Sequence, residues 1–136
     1  MKRCLDTTFL SRALRSESMA VAALRAWTGD QDTIATTEVN YFEVALGIER
    51  TDSKRKRDRL SSAWAELLTN IEVLPLTRRA TLLAVRRQAA LYRAGKPAAL
   101  ADLLIAASAA VGGCEAIVTG DDGDFERIDL LPVEKY

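Results

Sequence analysis

Apolar and polar positions alternate along the 136-residue chain so as to mark short strands between longer helices. Lys2 to Leu5 is a strand candidate that ends at Asp6. Helices are predicted over Thr7–Leu14 and Ser18–Trp27, followed by a β-prone run, Thr33–Thr36. Thr37 can cap a helix over Glu38–Ile48, with Glu38 favourably placed in its first turn. A longer helix follows at Ser53–Leu68, then a strand at Ile71–Pro75 ended by its proline. Thr77–Tyr92 is the next helix, stopped by Gly95. Pro97 suits a first helical position, and the pattern runs on to Val111 before Gly112-Gly113. Ala116–Val118 is a strand, and Leu131–Glu134 an edge strand. Strands alternating with helices predict an α/β fold with a short, mostly parallel central sheet covered by helices on both faces. No repeat or Gly/Pro/Ser-rich linker interrupts the pattern, so residues 1–136 are expected to form one domain.

Several acids sit where this pattern expects apolar or neutral residues. Asp6 lies at the carboxyl end of the first strand, where it can equally cap the helix from Thr7. Glu43 falls inside an apolar stripe of Val39, Phe42, Leu46 and Gly47, or at its edge with access to water. A carboxylate facing a core is costly unless paired or metal-bound. Asp102 interrupts the apolar run Ala98–Ala107, where the helix dipole alone would also favour it. Thr119-Gly120-Asp121-Asp122-Gly123-Asp124-Phe125 holds three carboxylates in four residues. Two such charges about 5 Å apart repel by roughly 3 kcal/mol at an effective dielectric of about 20. The cluster is either a solvated acidic turn, with Asp122 exposed in the loop, or part of a site where a cation offsets the repulsion. In parallel sheets ligands bind beyond the carboxyl ends of the strands, which is where Asp6 and Asp121 fall.

Composition narrows the chemistry. The chain has no histidine, which excludes a histidine triad, a histidine base and histidine metal ligands. Cys4 and Cys114 form no CxxC pair and read as small core residues of a protein from a reducing compartment. Asp6, Glu43, Asp102, Asp121 and Asp124 therefore make an all-oxygen donor set suited to a hard cation such as Mg2+. No hydrophobic region of signal-peptide length follows Met1-Lys2-Arg3, and the most apolar stretch is too short to span a bilayer, so a cytoplasmic protein is expected. The formal net charge is zero, so any anionic partner must be drawn by local patches. Arg79, Arg86 and Arg93 recur every seven residues on one helix face, widened by Arg78, Arg87 and Lys96. Lys54-Arg55-Lys56-Arg57 with Arg59 is a second basic run. Either is a solvated face or a phosphate-contacting patch.

The motifs carry a family resemblance over nearly the whole chain. Cys4-Leu5-Asp6-Thr7-Thr8-Phe9-Leu10, Thr36 to Gly47 with Glu43, Gly95-Lys96-Pro97 with Ala101-Asp102-Leu103-Leu104-Ile105-Ala106-Ala107, and Thr119-Gly120-Asp121 with Asp124-Phe125 stand in the order seen in that family. The chain resembles the PIN-domain ribonucleases, most closely the VapC-like toxins of toxin–antitoxin pairs. The resemblance implies a three-layer α/β/α fold and metal-dependent hydrolysis of RNA phosphodiesters, leaving a 5′ phosphate and a 3′ hydroxyl. It implies Mg2+, or Mn2+ in its place, held by Asp6, Glu43, Asp102 and an acid from the last motif, either Asp121 or Asp124. Thr7 and Thr119 are expected to supply supporting hydrogen bonds, and Arg79, Arg86 and Arg93 are candidate contacts to RNA phosphate. The expected partners are an RNA substrate, a VapB-like antitoxin and a second copy of the chain. The first helices, with Leu10, Leu14, Met19, Leu24 and Trp27, hold more apolar surface than one core is expected to absorb, which suits those partners. Thr8 and Asp121 each replace a usual asparagine: the first is expected to loosen support around Asp6, the second to raise the demand for a cation.

Other readings remain. A haloacid-dehalogenase-like phosphatase resembles DxDxT, but Thr8 stands where its second acid is needed. A receiver-type domain needs an aspartate after its middle strand, and Ile71–Pro75 ends without one. A housekeeping PIN nuclease shares every motif above, whereas the full set of acids argues against a PIN-like module that only binds protein.

Overall fold

The computed structural model describes residues 1–121 and 123–136; Asp122, expected in the loop, lies outside the described residues. In chain order the elements are β1 (Lys2–Leu5), α1 (Thr7–Leu14), α2 (Ser18–Gly29), β2 (Thr33–Thr37), α3 (Glu38–Glu49), α4 (Lys54–Leu68), β3 (Glu72–Leu74), α5 (Arg78–Arg93), α6 (Leu100–Val111), β4 (Ala116–Val118), α7 (Phe125–Ile128) and β5 (Val133–Glu134). The strands form one sheet in the order β3-β2-β1-β4-β5. All four pairings are parallel. The two halves of the chain build outward from β1 in opposite directions, so the topological switch point lies between β1 and β4.

Successive strand residues face opposite cores, as the two-residue period of a strand requires. Cys4, Ala35 and Ile117 face a core completed by α5, α6 and α7. Leu5, Ile34 and Val118 face a second core completed by α1 to α4. Helices therefore cover both faces of the sheet, and the three-layer expectation holds. Both cysteines are buried in the first core, as expected of small core residues.

Two cores also settle the apolar surplus of the first helices. Leu10 and Trp27 are buried in the second core, with Leu14 and Leu24 packed against it, and of the five residues named only Met19 is exposed. Trp64 is buried there too.

Four boundaries or faces differ from the sequence pattern. The buried stripe of α3 is Asn40, Val44 and Ile48, while Phe42 is 65% and Leu46 43% exposed. Apolar residues lie on every side of this helix, so periodicity alone does not choose the buried one. Pro97 does not start α6, which begins at Leu100. Gln88 of α5 holds Ala98 by donating Nε2 to its carbonyl (2.7 Å) and accepting its N–H (3.0 Å), which keeps this stretch extended. The last strand is confined to Val133–Glu134, because Pro132 has no N–H to give the ladder and contributes its carbonyl to Ile117 N. The short α7, with Phe125 and Ile128 buried, is too brief to leave a periodic signature.

The α3 correction predicts opposite outcomes for two substitutions. Ile48→Ala should cost about 2–5 kcal/mol in urea denaturation, and Phe42→Ala should stay within about 0.5 kcal/mol of wild type.

Candidate active site

The site is built where the sheet changes direction. Leu5 of β1 is level with Val118 of β4, so Asp6 and Thr119 leave the sheet side by side. Asp6 N donates to Val118 O at 2.9 Å. Asp6 is only 5% exposed. Its backbone takes the N-cap position of α1, but its carboxylate makes no capping bond there. Instead Oδ1 accepts from Asn40 Nδ2 at 3.1 Å, and Oδ2 from Thr119 Oγ1 at 3.0 Å. Burial pushes the Asp6 carboxyl above its ordinary pKa, and hydrogen bonds from Thr7, Thr119 and Asn40 oppose that rise.

Glu43 arrives on α3, and the start of that helix fixes its place. Thr37 caps α3 by accepting from Asn40 N, and Asn40 Oδ1 in turn accepts from Thr37 N, a reciprocal box. Asn40 is fully buried, so its amide must be satisfied inside the protein. Its Nδ2 donates to Asp6 Oδ1 and to Thr7 Oγ1 (3.0 Å), and Thr7 Oγ1 donates to Glu43 Oε1 at 2.6 Å. One amide thus joins β1, α1 and α3 at the two acids. The Thr7 hydroxyl is directed to Glu43.

Thr119 sits beside Asp6 at the end of β4. Its hydroxyl lies within reach of Asp6, Thr8 and the Asp121 carbonyl, and accepts from Asp121 N at 3.1 Å. Thr8 does not leave Asp6 loosely held. Its Oγ1 accepts from Gly120 N at 2.9 Å and sits 3.0 Å from Thr119 Oγ1. If each proton is used once, Gly120 N–H, Thr8 and Thr119 form a relay that ends on Asp6.

Asp102 lies in the first turn of α6. Burial, then the negative charges of Asp6, Asp124, Glu43 and Asp121, push its carboxyl up to about 6. That influence marks all five acids as neighbours in one electrostatic field. The last two play different local roles. Asp124 Oδ2 accepts from Ala99 N and Oδ1 from Arg127 Nη2, both at 2.6 Å, which ties the loop after β4 to the start of α6. Asp121 is exposed, and its side chain accepts from Gly123 N at 3.1 Å. A methyl group on Gly123 would come 4.0 Å from both Asp102 Oδ2 and Asp121 Cγ, so this loop folds over Asp102.

The donor set suits a hard divalent cation: every candidate ligand is a carboxylate oxygen, and their mutual repulsion is what a cation relieves. Among the described residues no three His, Cys, Asp or Glu side chains are gathered into a ready ligand group, so holding an ion requires the acids to draw closer. Asp124 would have to release Arg127 to become a ligand.

The seven-residue spacing does not bring the α5 arginines to this site together. Arg79 and Arg86 lie against Ala110 and Val111 at the last turn of α6. Asp102 is in the first turn, about 12 Å away along the helix at 1.5 Å per residue. Arg93 is in the last turn of α5, at the end where the chain turns back toward α6.

Sequence reasoning missed Asn40, the supporting role of Thr8, and Arg12. The Thr37-x-x-Asn40 spacing resembles a capping box and is the signal that could have pointed to Asn40. Arg12 donates Nη1 to Tyr136 Oη at 2.7 Å, and its guanidinium packs on Gly120, where an added Cβ would lie 2.3 Å from Nη1. No sequence pattern announces that contact.

The PIN domain family model matches residues 3–131. Among curated proteins none matches this sequence. Among solved structures, the fold is similar to VapBC2 from Rickettsia felis bound to a DNA fragment from their promoter, with a TM-score of 0.87 and 22% identity over 100% of this chain and 99% of that one. FitAcB from Neisseria gonorrhoeae gives 0.84 and 24% identity over 96% of this chain and 95% of that one. VapC20 of Mycobacterium tuberculosis, a sarcin-ricin loop cleaving toxin, gives 0.64 and 19% identity over 93% and 95%. These likenesses establish the fold.

The buried amide yields a stability prediction. Asn40→Ala removes donors to Asp6 and Thr7 and should cost about 1–3 kcal/mol in urea denaturation. A variant as stable as wild type would show that Asn40 does not hold the site together.

Proposed function

The chain belongs to the PIN domain family, and on that premise we propose that it is a metal-dependent endoribonuclease acting as the toxin of a toxin–antitoxin pair. The observation that carries this reading is Asp6, buried at the β1/β4 switch point and held by neutral donors, together with an Asp102 carboxyl raised by the charges of Asp6, Asp124, Glu43 and Asp121. Among the described residues, Asp124 alone of these acids has a cation within salt-bridge distance. Phosphodiester hydrolysis at such a site needs no side-chain nucleophile, which agrees with a chain that lacks histidine.

Asp6, Glu43 and Asp102, with Asp121 and Asp124 on the loop side, would hold Mg2+, with Mn2+ able to substitute. When bound, the ion would supply a water of lowered pKa and offset charge on the phosphate. The protein's part is positional. Asn40 and Thr119 fix the two oxygens of Asp6, Thr7 fixes Glu43, and Asp124 ties the acidic loop to the helix that carries Asp102. Arg12 supports the same loop from the side of α1.

Two partners follow from the same reading. The similar structures named VapBC are complexes, which supports a VapB-like antitoxin here, and exposed Met19, Phe42 and Leu46 are apolar side chains that a partner would cover. A homodimer is supported by the apolar side chains that α5 and α6 leave in solvent: Leu82, Val85, Tyr92 and Leu100. No described helix is long and apolar enough to cross a membrane; the work proposed is that of a cytoplasmic enzyme on cellular RNA.

Incubation of mixed-sequence RNA with the purified protein tests the reading. Cutting should require Mg2+ or Mn2+, stop with EDTA, and fall at least about a hundredfold in Asp102→Asn. Metal contributions of several kcal/mol at about 1.4 kcal/mol per tenfold set that scale. Cleavage that survives EDTA and the substitution would contradict it. A protein that binds a partner chain and cuts nothing would favour the PIN-like binding module.

A further inference from the structure

The fold sets two pairs apart within the basic run of α4, with the exposed Arg55 in neither. Lys54 pairs with Asp58 at 2.9 Å, and Arg57 donates Nη1 to Thr51 O at 2.8 Å. Both charges are thus engaged within the helix and the loop before it. Lys56 and Arg59 instead face a groove between α1 and α4, where Arg15 joins them from the other wall. Among the described residues none of these three cations lies within salt-bridge distance of a carboxylate. Arg15 Nε donates to Ser11 O within its own helix.

The groove reaches Glu43 of the candidate active site. Leu14, Arg15, Lys56 and Leu60 line its whole length, and its inner end is lined by Glu43 and Gly47. A Cβ on Gly47 would meet nothing within 4 Å, so the passage past Glu43 is open. A strip of unpaired positive charge therefore begins beside an acid of the proposed metal centre.

We propose that this groove carries the RNA strand to and from the carboxylates, with Arg15, Lys56 and Arg59 contacting its phosphates. The proposal rests on the nuclease reading for the identity of the polymer. With a net charge of zero, the molecule has no overall field to attract RNA, and the metal-free acids repel it. Attraction must come from a local positive strip that touches the acidic site, and this groove meets that condition. Its lining includes no aromatic ring on which a base could stack, so the contacts read the backbone and tolerate many sequences.

The test is fluorescence anisotropy with a labelled 12-nucleotide RNA in EDTA, over a salt series. It compares wild type, Arg15→Gln/Lys56→Gln/Arg59→Gln, and the equally charged Arg79→Gln/Arg86→Gln/Arg93→Gln variant of α5. The groove variant should bind more weakly than both others, with a log–log salt slope lower than wild type by about 2, since each phosphate contact on a single strand contributes about 0.7. In Mg2+ its KM for cleavage should rise with kcat little changed. Wild-type affinity and slope in the groove variant, or an equal or larger loss in the α5 variant, would overturn the proposal. So would a groove variant that keeps RNA but loses binding to a poly-glutamate peptide, which would make the groove a site for an acidic protein segment. Binding is read without metal, so a wild type that cuts nothing in Mg2+ would sink the nuclease reading while a selective loss of RNA binding in the groove variant would still support the track.

Discussion

The site depends on a buried carboxylate that has no cation partner among the described residues. Asp6 leaves β1 at the point where the sheet reverses its building direction, and it is held by hydrogen bonds from neutral side chains. An arginine or lysine in contact would satisfy this charge better in the metal-free protein, but it would also occupy the place of the proposed divalent ion. Amide and hydroxyl donors hold the oxygens in position and leave the negative charge available. The resulting tension is visible at Asp102, where burial and four neighbouring acids push the carboxyl up to about 6.

The surrounding structure serves that arrangement. Asn40 can reach Asp6 because Thr37, the last residue of β2, caps α3 and places Asn40 in its first turn. Thr119 can reach Asp6 because β4 lies beside β1 in register. Asp124 pulls the loop after β4 onto the start of α6, which delivers Asp102. Three short-range devices, a helix cap, a strand register and a loop-to-helix bond, bring together residues more than a hundred positions apart. On the outer side, Arg12 packs on Gly120 and bonds Tyr136, whose ring meets Phe9 edge-on at 4.7 Å. The acidic loop is thereby braced against the second core.

The strands and the acids were legible because each is a local signal. Cys4-Leu5-Asp6 and Ala116-Ile117-Val118 are short apolar runs that end in polar residues, and parallel sheets bind ligands at those ends. Glu43 was singled out partly for the wrong reason. Phe42, Leu46 and Gly47 of its stripe face solvent while Val39 packs against the first core, and the buried side of α3 is set by Asn40, whose tertiary bonds no periodicity records. Thr8 looked like a weak substitute for asparagine, since its contacts with Thr119 and Gly120 cross 111 and 112 positions of sequence. Basic residues were the least legible. Seven-residue spacing correctly put three arginines on one face, but only the antiparallel packing of α5 on α6 shows that two of them lie far from Asp102. Likewise only the approach of α1 to α4 separates Lys56 and Arg59 from Lys54 and Arg57, which are engaged locally.

The most direct measurement is calorimetric titration of Mn2+ into the metal-free protein and into its Asp6→Asn variant. The account predicts saturable binding to the wild type, weakened at least about tenfold in the variant because an anionic oxygen donor is lost where hard cations need one. Equal binding by both proteins, or no binding by the wild type, would contradict the claim that the acids at the sheet's switch point form a metal site.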